Sequence, residues 1–211
     1  MTPFEGQPDG ATPLTTEDVE GLKPSWVSSQ AELNQAEAEN ILPGRLWASR
    51  ARRPPFWYLR DAGLKDLHQR MFGDVWAWAG QLRQRETNIG LDPHQIPAAV
   101  RDLYEDTAAQ IGSGSKLAYP ADELAVCFHH RLVLIHPFRN GNGRHARLAT
   151  DLLVADLGAE PFTWGGAEPF TWGGAELTGP TDLRTDYLTA LRHADTTLDF
   201  TPLIEFARRT N

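Results

Sequence analysis

Residues 136–147, HPFRNGNGRHAR, concentrate side chains suited to holding and attacking a phosphorylated ligand. Gly141 and Gly143 flank Asn142. Glycine reaches positive φ without steric cost, so this triplet can turn its backbone N–H groups into a concave anion nest. A helix beginning near Gly143 adds the partial positive charge and unpaired donors of its N-terminus. Arg144 and Arg147 are three residues apart and share a helix face, giving two guanidinium forks for a di- or triphosphate. His136 stands at the edge of the nest. An imidazole with an ordinary pKa near 6.5 suits it as general base toward an incoming hydroxyl. Phe138 reads as the apolar anchor of the loop. A plain glycine corner between two helices is the competing interpretation, and the fixed offsets of one His, one Asn and two Arg weigh against it.

The elements that must position these residues are mostly helical. Ser29 and Glu32 form a capping-box pattern, opening a helix expected over 29–42 and ended or kinked by Pro43-Gly44. Leu64, Leu67, Met71 and Phe72 recur at helical spacing. Trp76 and Trp78 read as core. Residues 82–92, with Thr87, Asn88, Ile89 and Gly90, read as a short extended segment or hairpin. Further helices are expected over about 97–111, from Asp122, a candidate cap, through Ile135, from Gly143 through Leu157, and over about 181–194 and 201–209. Adjacent His129 and His130 face different sides of a helix, which favours packing over metal binding. The pattern predicts an all-α domain. Residues 1–28 form an irregular N-terminal arm with little core of its own, and 29–211 form the main domain. GAEPFTWG occurs at 158–165 and again at 166–173. Two copies are too few for a solenoid, so a tandem duplication carried as a surface loop or hairpin is expected.

Composition narrows the functional classes. The chain has 211 residues and a net charge of −8, which speaks against nucleic-acid binding by bulk charge. Cys127 is the single cysteine, so no internal disulfide can form; it is expected to be buried and inert in a reducing compartment. No apolar run reaches membrane-spanning length, and a cytoplasmic location is the default expectation.

The 136–147 segment resembles the signature of the Fic family, His-x-Phe-x-(Asp/Glu)-Gly-Asn-Gly-Arg-x-x-Arg. Seven of its eight specified positions match, Asn140 being the departure. Asp74 to Gly80, Arg83 and Asn88 to Gly90 resemble the Fic region ahead of its flap. GATPL, AELN, ENI and PFTWGG are similar to a subgroup called mobile mystery protein B. The resemblance implies a Fic-fold helical bundle with a short β-hairpin flap. It implies AMP transfer from ATP to a Ser, Thr or Tyr hydroxyl of a target protein. His136 would be the base. Gly141, Asn142, Gly143, Arg144 and Arg147 would hold the nucleotide, Asn142 also holding the α-phosphate. Asn140 would face Mg²⁺, with Mn²⁺ as a substitute, and weaken its binding. Thr87, Asn88, Ile89 and Gly90 would clamp the target backbone by strand addition.

Some Fic proteins carry an inhibitory helix with the pattern (Ser/Thr)-x-x-x-Glu-(Gly/Asn). Glu39-Asn40 fits its end, with Gln35 where Ser or Thr belongs; Glu39 is expected to pair with Arg147 and restrain ATP. Glu32 and Glu37 are the other candidates. Two alternatives stand beside this expectation: a Fic-fold transferase using another nucleotide or a phosphocholine donor, and a weakly active nucleotide-binding regulator in a toxin–antitoxin-like module. Homo-oligomerisation is left open by the sequence.

Overall fold

The computed structural model describes residues 4, 10–50, 53–112, 119–166 and 182–210. Among the described residues there are eight α-helices: α1 (Thr16–Glu20), α2 (Gln30–Ala48), α3 (Asp61–Phe72), α4 (Ile96–Ile111), α5 (Ala121–Ile135), α6 (Asn142–Asp156), α7 (Asp182–Thr197) and α8 (Thr201–Arg208). The all-α expectation holds. The flap is a different matter. No strand forms among the described residues, and the segment carries one isolated antiparallel bridge, Leu82 to Phe138. Its backbone is held instead by the Arg83 guanidinium, which donates to the carbonyls of Arg85 at 2.8 Å and of Leu91. A side chain in the crook of the loop satisfies the carbonyls that a hairpin partner would otherwise take.

The expected capping box starts α2: Ser29 Oγ accepts from Glu32 N–H at 3.3 Å, and Glu32 returns a bond to Ser29 N–H at 3.0 Å. The helix then runs through Pro43 rather than ending there. Proline inside a helix costs about 3 kcal/mol, because it removes the bond to the carbonyl four residues back. Leu33 and Ile41 of the same helix are buried, each contributing roughly 1.5–3 kcal/mol, and that outweighs the proline. One further requirement is met by Gly44, where an added Cβ would lie 2.7 Å from the Arg70 carbonyl. Alanine there would push α2 off α3.

α5 and α6 pack as a hairpin with the motif loop at its corner, and α3 closes the other side of α6. The core includes Trp76, Phe72, Met71, Leu67, Phe128 and Phe138. The N-terminal arm is tied to this body more closely than its composition suggests. Lys23 N–H donates to the Val75 carbonyl at 2.9 Å, Ala77 N–H donates to Gly21 at 2.8 Å, and Leu22 bridges Trp76. Phe4 is buried.

Three further sequence expectations change. The first GAEPFTWG copy is core, not surface: Phe162 and Trp164 are fully buried, and Trp164 Nε1 donates to Asp151 at 2.8 Å. The second copy lies outside the described residues beyond Gly166. Cys127 is only half-buried, its thiol pushed up chiefly by burial. Asp122 does not cap α5; it forms a two-pronged ion pair with Arg208, which fastens α8 to α5.

Candidate functional site

His136 ends α5 in the left-handed conformation, φ 53° and ψ 60°. That conformation costs a non-glycine residue about 1–3 kcal/mol and persists only when its surroundings impose it. Arg83 does so. It is buried, donates from Nε to the His136 carbonyl at 2.7 Å, and its backbone N–H bonds Pro137 at 2.9 Å. Gly90 completes the clamp, since a Cβ there would meet His136 Cβ at 2.5 Å.

The loop that follows is equally constrained. Asn142 uses both side-chain ends on Phe138, accepting its N–H at 2.9 Å and donating to its carbonyl at 2.8 Å. This side chain staples the loop, and the backbone N–H of Asn142 stands at the start of α6. Gly141 sits at φ 77° with the Phe72 ring against its Cα; an added Cβ would come within 2.6 Å of Cζ. Gly143 has open space above it, with Arg147 Nη1 nearest at 3.7 Å from a virtual Cβ. The first N–H groups of α6 have no intrahelical acceptor, and they open onto the cavity together with Arg144.

His68 also holds the loop and was not identified from the sequence. Nε2 of His68 donates to the Asn140 carbonyl at 3.0 Å, Nδ1 accepts Gly80 N–H at 3.0 Å, and the ring stacks on Phe138 at 3.8 Å between centroids. Its only sequence signal is its place on the apolar stripe of α3, between Leu64 and Phe72.

A cavity of about 410 Å³ joins these parts. It is lined by His136, Asn140, Gly141, Arg144 and Arg147 on one side and by Thr12 and Glu37 on the other. His136 is held down to about 4, mainly by burial, with the Val133 backbone partly opposing this and Arg83 adding to it. The imidazole is neutral at pH 7. Its Nε2 lies 2.8 Å from Thr12 Oγ.

Glu37, not Glu39, reaches a motif arginine, Arg144. Buried Glu37 accepts from Arg144 Nη1 at 2.7 Å with one oxygen and from Trp76 Nε1 at 2.8 Å with the other. Glu39 lies exposed and accepts from Gln35 at 2.9 Å. The expected Glu39–Arg147 pair is absent because the two glutamates are about 200° apart around α2, and only the face of Glu37 turns inward. Arg147 is fully buried beside Tyr187, 5.6 Å from its ring centroid. Burial lowers the arginine's pKa, and its Nε has no hydrogen-bond partner among the described residues.

Asn140 spends its side chain locally: Oδ1 accepts Gly141 N–H at 2.7 Å, and Nδ2 donates to the Thr12 carbonyl at 3.3 Å. Asn88 donates to the Ala11 carbonyl at 2.9 Å, and Thr87 Oγ donates to Ile89 at 2.6 Å within the flap. His129 and His130 bond Tyr187 and Asp195, which leaves both as packing residues. No group of three or more His, Cys, Asp or Glu that could hold a metal occurs among the described residues.

Residues 58–154 match the Fic/DOC family. Over 145 residues, 68% of this chain and 25% of the relative, the chain is 26% identical to protein adenylyltransferase fic-1 of Caenorhabditis elegans. Over 123 residues it is 33% identical to "Probable protein adenylyltransferase y4lH" of Sinorhizobium fredii, covering 54% of this chain and 63% of that one. The chain thus spans about a quarter of the fic-1 sequences it matches. The fold is shared with BepC, a VirB-translocated effector of Bartonella tribocorum solved with AMPPNP (TM-score 0.64, 16% identity, 86% of this chain and 87% of that one). It is also shared with Fic-1 of C. elegans (TM-score 0.58, 22% identity, 90% and 56%). No helix among the described residues is long and apolar enough to cross a membrane.

Proposed function

We propose that this chain is a protein adenylyltransferase, moving AMP from ATP to a hydroxyl side chain of a protein. One observation carries it: a neutral, buried His136 Nε2 and the glycine-lined N-terminus of α6 open onto the same cavity, with Arg144 and Arg147 beside them. The names of the matched relatives agree with that chemistry. The backbone N–H groups of Asn142, Gly143 and Arg144 cradle the phosphates. The target oxygen attacks the α-phosphorus, its proton passes to His136 Nε2, and the bond from the α-phosphorus to the bridging oxygen breaks. Pyrophosphate leaves with that electron pair. Charge accumulating on the leaving group falls toward Arg144 and Arg147.

The site is restrained by α2. A polyphosphate reaching Arg144 must displace a carboxylate already bonded to it, and the displaced Glu37 would repel the newcomer. This supports Glu37 as the inhibitory residue. Asn140 presents a neutral oxygen that already accepts Gly141 N–H, a poorer partner for Mg²⁺ than the carboxylate a hard cation prefers; no step here runs through a metal. That same fact favours one second reading, nucleotide binding with little turnover.

The test uses ATP labelled in the α-phosphate, with Mg²⁺ or Mn²⁺, added to the full chain in a bacterial extract. Glu37→Gly should transfer label to protein, and Glu37→Gly with His136→Ala should not. Tight ATP binding with no label on any protein would replace the transferase with the binding protein.

A further inference from the structure

Thr12 is buried in the cavity wall, and its hydroxyl is the group that meets the base, 2.8 Å from His136 Nε2. Its backbone is held from both flanks. The flap's Asn88 donates to the Ala11 carbonyl, and Asn140 of the motif loop donates to the Thr12 carbonyl. Gly10 turns at φ 70° against Leu188, where any Cβ would lie 2.8 Å from a methyl carbon. Downstream, Thr15 caps α1, and the buried Asp18 is paired with Arg85. Arg139, within the motif loop, bonds Glu17 at 2.9 Å. The arm is therefore gripped by the flap and the motif loop, which would present a target's backbone, with a hydroxyl at the general base.

On the transferase reading above, we propose that Thr12 is an acceptor of the reaction, modified within its own chain. Thr12 Oγ forms the bond to the α-phosphorus, its proton goes to His136 Nε2, and pyrophosphate leaves with the electrons of the broken Pα–O bond. Other hydroxyls nearby are engaged elsewhere: Thr15 Oγ bonds Asp18, and Tyr187 bonds His129. Because the arm lies where a protein target would enter, an external target must displace it, so self-modification and target modification compete.

The experiment places Thr12→Val and Thr12→Ser in the full-length Glu37→Gly chain, incubated with α-labelled ATP alone and with bacterial extract. Labelled residues are mapped by mass spectrometry, and melting curves verify that each variant is folded. Expected is label on Thr12, kept in Thr12→Ser, reduced in Thr12→Val to the background of His136→Ala. Its first-order rate constant should be unchanged over a tenfold range of protein concentration. Undiminished label in Thr12→Val, label mapped elsewhere on the chain, or a rate constant rising with concentration overturns the assignment. Label on extract proteins with none on Thr12 overturns it while leaving the transferase reading intact. No label on any protein removes both.

Discussion

The motif loop at 136–144 and the arm at 10–14 face each other across one cavity, and they are built differently. The loop is over-determined. Arg83, His68 and Asn142 together bond the carbonyls of His136, Phe138, Asn140 and Leu91, and all three are buried. The arm is held by isolated contacts, among them Asn88 to Ala11 and Asn140 to Thr12, and Asn88 is exposed. α2 adds one strong but displaceable pair, Glu37 with Arg144. A rigid floor suits a step that demands fixed geometry. A cover held by few bonds can open at modest cost, because a polar contact with an exposed partner contributes little.

Removing the clamp should break the contrast outright. Arg83→Ala leaves several buried carbonyls without a donor and should cost about 3–5 kcal/mol, read from denaturant unfolding. Asn88→Ala, cutting a bond of the arm, should stay within about 0.5 kcal/mol. Equal losses would mean that floor and cover are equally rigid.

The displaceable pair should register next. Glu37→Gln removes the competing charge and should tighten ATP binding about tenfold, close to 1.4 kcal/mol. Glu39→Gln should change it by less than about twofold, since its carboxylate is exposed. Calorimetric titration of both variants decides which face of α2 restrains the site, and the reverse ranking would restore Glu39.

The smallest expected effect concerns the base. Burial keeps His136 neutral down to about pH 4. On the proposed transferase reading the unprotonated form is the active one, so activity should be present above that value and be lost as pH falls through it. Between pH 8 and 6, kcat/KM should change by less than about twofold, where a histidine titrating near 6.5 would lose about fourfold. A limb near 6.5 would show that the base is wetter than the rest of the floor.

Much of the fold was legible because helical periodicity and capping are local. Ser29 with Glu32 marked the start of α2, and the apolar spacing of Leu64 to Phe72 marked α3. The failures share one cause. Pro43 reads as a stop, yet packing against α3 overrides it. Asp122 reads as a cap, but Arg208, 86 residues away, claims it. A duplicated PFTWGG reads as surface, while its first copy fills the core.

For the site, the sequence by itself brought together the residues proposed as base and anion cradle, because His136, the glycines and the arginines lie within twelve contiguous residues and their spacing constrains their geometry. What those residues touch was decided only by tertiary structure. Glu37 and Glu39 differ by two positions and are chemically identical; the orientation of α2 against Arg144 and Trp76 separates them. Thr12 is 124 residues from His136. No local pattern couples a threonine in a proline- and glycine-rich arm to a base at a helix end, and only the folded chain brings the two within hydrogen-bonding distance.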